Sequence, residues 1–224
     1  MPDFQRYAVY YLPDDAELAS FGATWLGWDI ARGATVNQPD IDGIGQATRT
    51  PRKYGFHGTL KPPFHLADDS TIAELQNDIA TLASETSAVT LDGLTLSRIG
   101  SFLALVPLGD TRALASLAFA CVARLDGHRR AASAEELERR RAAGLTPRQD
   151  TLLTQWGYPY VADEFRFHLT LSGKLNDADL DRFQDAAANA LPQLPTPFHV
   201  GSVALVGEGP DGTFREIGRY PLTG

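Results

Sequence analysis

The chain has 224 residues, 43% of them hydrophobic and 21% charged, proportions that exclude wholesale disorder and fibrous repeats. A single cysteine excludes an intrachain disulfide framework and a cysteine-rich zinc site. Twenty Lys and Arg against 28 Asp and Glu leave a net charge of −8. That balance argues against a protein that coats long nucleic acid, and it requires any anionic substrate to meet a local positive patch.

The opening segment has no basic n-region and only a short apolar run, so no signal peptide is expected. No stretch reaches about 18 uninterrupted apolar residues, so no transmembrane helix and no membrane partner are expected; the protein is read as cytoplasmic. Residues 7–12 read as a strand stopped by Pro13. Leu18, Phe21, Trp25 and Trp28 then recur at helical spacing. Residues 33–53, rich in Gly, Thr, Pro, Asn and Asp, read as a long loop. Residues 54–60 form a short strand ended by Pro62-Pro63. Thr71 and Glu74 have capping-box spacing ahead of a helix with Ile72, Leu75, Ile79 and Leu82 on one face. Two strands follow, 88–96 and 101–106, then a helix from about Thr111 that aligns Leu114, Leu117, Cys121 and Leu125. Residues 129–156 are charged, with caps at Ser133…Glu136 and Thr146-Pro147, and accommodate two short helices. Residues 165–171 read as a strand, and Asn176 caps a helix with Leu180, Phe183, Ala187 and Leu191 facing inward. A final pair of strands, 198–206 and 213–220, turns at Pro210-Asp211-Gly212.

This order repeats. YAVYYLPDD and FLALVPLGD each precede a helix; YGFHGTL and FRFHLTL each precede a capped helix and a strand. The expectation is a single bilobal domain over 1–224, with one repeat at about 5–100 and a second at about 101–224 that carries a helical insert at about 129–156. Its class is α+β, two pseudo-symmetric lobes with an antiparallel-rich sheet in each.

The chemistry sits in the repeated F-H-x-T-L. Side chains alternate along a strand, so His57 and Thr59 share one face, and His168 and Thr170 share another, opposite the apolar Phe56, Leu60, Phe167, Leu169 and Leu171. A phosphodiester needs a base for the attacking oxygen and an acid for the leaving oxygen, and imidazole serves either role near neutrality. Hydroxyls two residues on can donate to the non-bridging oxygens. Lys61 has the parity of His57 and Arg166 that of His168, so either is a candidate substrate contact.

H-x-T-L once per half resembles the two-histidine (2H) phosphoesterase superfamily. The strings RKYGFHGTLKPPF, GLTPRQ and WGYPYVADEFRFHLTLSG are similar to a branch of that superfamily found with phosphonate-utilisation genes. The resemblance covers essentially the whole chain, insert included. It implies catalytic His57 and His168, phosphate-binding Thr59 and Thr170, no cofactor and no metal. It also implies metal-independent opening of a cyclic phosphodiester on a small ribose or nucleotide cyclic phosphate, in phosphonate metabolism. Gly58 stands where alanine is expected, a difference read as neutral, and His65 where arginine is expected. RNA end-joining, a non-catalytic phosphometabolite-binding protein and a metal hydrolase are the alternatives.

The remaining candidates are weighed by context. His65, His128 and His199 lack metal-ligand spacing. Trp156-Gly157-Tyr158-Pro159-Tyr160 leads into the second motif, where Tyr158 and Tyr160 can stack on a ribose or base, or pack as a hinge. Arg139-Arg140-Arg141 reads as a solvated helix face beside Glu135, Glu136 and Glu138. Arg129, Arg130 and Arg148 belong to the insert, which can cover the cleft. Trp25, Trp28 and Cys121 read as core.

Overall fold

Tyr7–Tyr11 forms β1, and Asp15 caps the helix α1, Ala16–Leu26, by accepting from the Leu18 N–H at 2.8 Å. The computed structural model describes residues 4–142 and 144–224; the first three residues of the opening segment, and Ala143 of the insert, lie outside it. Gly27 ends α1 with φ 79°, a left-handed conformation that favours glycine. Trp28 therefore leaves the helix and opens β2 (Trp28–Asp29), which pairs with β3 (Ala34–Thr35). It is still core: its indole donates to the Phe214 carbonyl at 2.9 Å. The expected loop at 33–53 also holds two single-turn helices, α2 (Ile44–Ala47) and α3 (Arg49–Arg52). Arg52 ties them down, donating to the carbonyl of Leu26 at 2.7 Å and to Gln38 Oε1 at 2.6 Å.

The first motif strand begins later than its composition predicts. β4 is Gly58–Phe64 and runs through Pro62-Pro63. It pairs with β1 along its length, but its other edge is paired only at Gly58. The β1·β4 register shifts between Tyr7↔Phe64 and Val9↔Lys61, so Pro62-Pro63 lie in a bulge, where prolines are tolerated. α4 (Ile72–Ser84) starts at the expected capping box, with Thr71 and Glu74 in reciprocal contact. The strand expected at 88–96 is split at Asp92 into β5 (Val89–Leu91) and β6 (Gly93–Ile99), followed by β7 (Phe102–Leu108) and α5 (Arg112–Arg124). The insert carries α6 (Ala134–Arg141) and α7 (Pro147–Trp156), each beginning at its expected cap. The second motif strand is short: β8 is Leu169–Thr170, and His168 precedes the ladder. α8 (Asp177–Ala190), β9 (Phe198–Val200), β10 (Ser202–Glu208) and β11 (Phe214–Pro221) complete the chain.

The main sheet has the order β11-β10-β1-β4-β8-β7-β6, antiparallel throughout, with β5 paired to β9 separately. The protein is α+β, and its duplication is visible in the strand order. Read outward from the centre, β4, β1 and β10 on one side correspond to β8, β7 and β6 on the other. Each half therefore lends a strand: β10, from the second half, pairs with β1, and β6, from the first, pairs with β7. The two antiparallel sets meet at one pair, Gly58↔Leu169.

The larger core lies between one sheet face and the helices, gathering Leu18, Leu75, Leu117, Phe183, Leu169 and Leu205 among others. Trp25 donates across it to the Leu171 carbonyl at 2.9 Å, joining α1 to the second motif. A smaller cluster, with Tyr10, Trp28, Val206 and Phe214, covers part of the opposite face. No helix among the described residues is long and apolar enough to cross a membrane.

Candidate active site

Both motif histidines sit just before their strands, and both are half-buried. Each is held in the same way. His57 Nδ1 lies 2.9 Å from the Gly55 carbonyl and His168 Nδ1 lies 2.8 Å from the Arg166 carbonyl, two residues upstream in each case. A carbonyl only accepts, so Nδ1 carries the proton in both rings. The lone pair of a neutral ring is then on Nε2. At His57 this Nε2 accepts from the Thr59 hydroxyl at 3.0 Å.

The central Gly58↔Leu169 pair brings the motifs together, because each partner directly follows its histidine. The close approach requires glycine: a Cβ at Gly58 would stand 2.3 Å from the Phe167 ring. Phe167 is buried and packed against Tyr11 and Phe198, so the ring would have to shift within the core to admit a methyl. Glycine in place of the expected alanine is thus not neutral, a correction that only the strand register reveals.

Two adjoining cavities follow the junction. One, of about 380 Å³, is lined by His57, Thr59, Thr170, Tyr10, Tyr54 and Arg6, with Tyr158 and Arg140 from the insert side. The other, of about 260 Å³, shares His57, Thr170 and Tyr54 and adds Phe102 and Lys174. The Phe102 ring lies 5.7 Å from the His168 ring.

The two histidines are unlike in surroundings. Tyr10, opposite Thr59 in the β1·β4 ladder, stacks on His57 with ring centroids 3.7 Å apart, and Tyr54 flanks it at 6.2 Å. Burial in this aromatic slot pushes His57 down to about 4; the hydrogen bond to Gly55 opposes the shift, and the charge of His168 adds to it. His57 is therefore neutral at physiological pH, with Nε2 ready to take a proton. The same burial holds the Tyr10 phenol well above its ordinary range, so it stays protonated.

The other sequence candidates are placed as follows. Tyr158 lines the larger cavity, and Tyr160 is exposed and meets its ring edge-on at 5.6 Å. Lys61 does not join the site. The β1·β4 register shifts between Val9↔Lys61 and Tyr10↔Thr59, and this bulge turns Lys61 to the core side with Val9. It is 2% exposed, donates to the Val122 carbonyl at 3.0 Å and stands 3.9 Å from Asp126. Arg166 is exposed and donates to the carbonyls of Asp163 and Phe165. His128 contacts Ser70 and Asp78, His199 contacts Thr90, and His65 contacts the Gln5 carbonyl. Among the described residues no three His, Cys, Asp or Glu are grouped to hold a metal ion.

In the first cavity, Tyr10, Tyr54, Arg6 and Arg140 were not legible beforehand. The first three are brought in by strand pairing and loop packing. Arg140 corrects the reading of 139–141 as a solvated face. Arg139 is exposed and Arg141 pairs with Asp150 and Glu138, whereas Arg140 is half-buried at the cleft, its guanidinium 5.8 Å from the Tyr158 ring centre.

Residues 59–215 match the family described as "Protein of unknown function (DUF1045)". Among curated proteins, "Ribose 1,5-bisphosphate phosphokinase PhnN" of Janthinobacterium sp. (strain Marseille) is 36% identical over 98% of this chain and 51% of its own length. The protein of the same name from Laribacter hongkongensis (strain HLHK9) is 34% identical over 82% of this chain and 43% of its own. The chain thus spans about half the length of these relatives. Among solved structures, E. coli LigT complexed with 3′-AMP aligns over 99% of this chain and 100% of its own, at 17% identity and a TM-score of 0.47. TT0787 of Thermus thermophilus aligns over 98% of both, at 16% identity and a TM-score of 0.46.

Proposed function

The chain belongs to the DUF1045 family, and from its site we propose that it is a phosphoesterase of the two-histidine type, opening a cyclic phosphodiester on a small ribose or nucleotide substrate. The observation that carries this reading is the matched anchoring of the two imidazoles, Nδ1 to the carbonyl two residues upstream, beside a cleft lined by the motif threonines. Neutral His57 is the base. Its Nε2 takes a proton from water as the water oxygen bonds to phosphorus. His168, protonated, gives its Nε2 proton to the ribose oxygen as the phosphorus–oxygen bond of the ring breaks. The product is a phosphomonoester with a free hydroxyl, and solvent exchange resets both rings. The threonine hydroxyls donate to the non-bridging oxygens, with Thr59 exchanging its bond to His57 for one to phosphate.

The name of the curated relatives supports a ribose-phosphate setting, and their Phn designation agrees with the phosphonate connection drawn from the sequence. Their kinase activity is not the reading preferred for this chain, whose sequence contains no G-x-x-x-x-G-K-[S/T] phosphate loop.

The test is turnover of a panel of cyclic phosphates, from 2′,3′-cyclic nucleotides to ribose 1,2-cyclic phosphates, by purified protein with and without chelator. Phosphomonoester release that survives chelation is expected. No release from any member rejects the reading, and release abolished by chelator and restored by a divalent ion replaces it with metal-assisted hydrolysis.

A further inference from the structure

Beside the motif cleft lies a third cavity, of about 490 Å³, that shares Arg6, Pro63 and Arg140 with it. In a chain of net charge −8 this cavity is lined by five arginines against Glu135, Glu136 and Glu208. Several of these charges are already satisfied. Arg6 grips Glu208 through two hydrogen bonds, and Arg129 holds Asp126 at 2.8 Å. Arg140 is different. Its carboxylate neighbour, Glu136, stands at 3.4 Å, at the edge of hydrogen-bonding range. Its Nε is buried and has no hydrogen-bond partner among the described residues. A guanidinium N–H withdrawn from water without an acceptor is an unfilled donor, and the planar fork of arginine matches the oxygens of a phosphate.

We propose that Arg140 is an anion-binding residue supplied by the helical insert, and that the substrate carries a second phosphate group, held where Arg140 and Arg6 join the two cavities. This rests on the two-histidine reading of the first cleft and extends it to a substrate class: a sugar or nucleotide cyclic phosphate that also bears a terminal phosphomonoester. In the two-histidine reading the reacting phosphate meets the imidazoles and hydroxyls at the β4–β8 junction. The arginine-lined cavity lies on one side of that junction, so a ligand with two anionic ends fits the pair of cavities better than a ligand with one. The Tyr158 ring centre lies 5.8 Å from the guanidinium, within cation–π range.

The experiment compares cytidine 2′,3′-cyclic phosphate with the same compound carrying a 5′-phosphate, using wild type, Arg140→Met and Arg140→Lys, each with its melting temperature measured. In wild type the added phosphate should raise kcat/KM by roughly tenfold or more, mainly through KM. Arg140→Met should bring the ratio near one, and Arg140→Lys should keep part of it. Equal kcat/KM for the two substrates in wild type, or an unchanged ratio in a folded Arg140→Met, overturns the proposal and leaves the two-histidine reading standing. If neither compound is turned over, the cyclic-phosphate panel decides the two-histidine reading, and calorimetric binding decides the subsite. Adenosine 3′,5′-bisphosphate bound more tightly than adenosine 3′-phosphate, with the preference lost in Arg140→Met, supports it. No preference overturns it.

Discussion

Gly58 and Leu169 face each other across the one residue pair that joins the two halves of the sheet, and each is the immediate successor of a motif histidine. The separation of the two imidazoles is therefore set by backbone contact between β4 and β8, with no side chain interposed on the glycine strand.

Gly58→Ala tests that dependence. The new methyl meets the buried Phe167 ring at 2.3 Å. Overpacking of this kind typically costs about 1–3 kcal/mol, or several degrees in Tm for a chain of this size. Because Phe167 adjoins His168, the rate should fall as well. Gly58→Ala combined with Phe167→Leu should recover part of both. A Gly58→Ala protein with wild-type Tm and kcat contradicts the close contact.

His57→Ala and His168→Ala should each lower kcat by about 10²–10⁴-fold, and the double variant should be little worse than the poorer single one, since both groups act in one step. Steady-state rates of the four proteins check this. Multiplicative losses argue against a shared step.

The low His57 value has two pH signatures. In the unfolded chain its imidazole titrates near the ordinary value of about 6.5, and in the native protein near 4. The unfolded state thus binds the proton first, so this contribution to stability is intact above about 6.5 and is lost as pH falls toward 4. In urea melts across pH 3.5–7.5, wild type should lose stability relative to His57→Asn as the pH falls. The acid limb of kcat/KM should correspondingly lie well below 6.5. A profile that only climbs with pH indicates a different nucleophile.

The motif threonines should not be equivalent. Either Thr→Val removes a donor to the phosphate, lowering kcat by roughly 10–10³-fold while preserving strand propensity. Thr59→Val also deletes the hydroxyl that donates to His57 Nε2, a bond available only to the neutral ring. It should therefore move the acid limb upward, whereas Thr170→Val should leave that limb in place. Thr59→Ser should restore both rate and limb. Identical pH profiles for the two valine variants rule out this coupling.

The repeated H-x-T was legible because period-two alternation and duplication are local properties of the sequence, and the caps at Thr71, Ser133, Thr146 and Asn176 were legible for the same reason. Lys61 was not, because a bulge is a property of two strands in register and reverses the parity that one strand implies. The early start expected for both motif strands failed similarly: residues 54–57 and 165–168 include β-favouring side chains, but their ladders begin only at Gly58 and Leu169. Arg140 was hidden by its neighbours. Three consecutive arginines look alike in sequence, and only the seating of α6 beside Tyr158 separates the one at the cleft from the exposed Arg139 and the ion-paired Arg141.

The exchange of β6 and β10 between the halves has a consequence for biogenesis. As the polypeptide leaves the ribosome, β1 has β4 on one side, but its other edge stays uncovered until β10 has been translated, almost two hundred residues later. The amino-terminal half thus spends most of synthesis as an incomplete sheet with an adhesive edge. Messages truncated before β10 should yield fragments that aggregate or engage chaperones rather than an independently folded half.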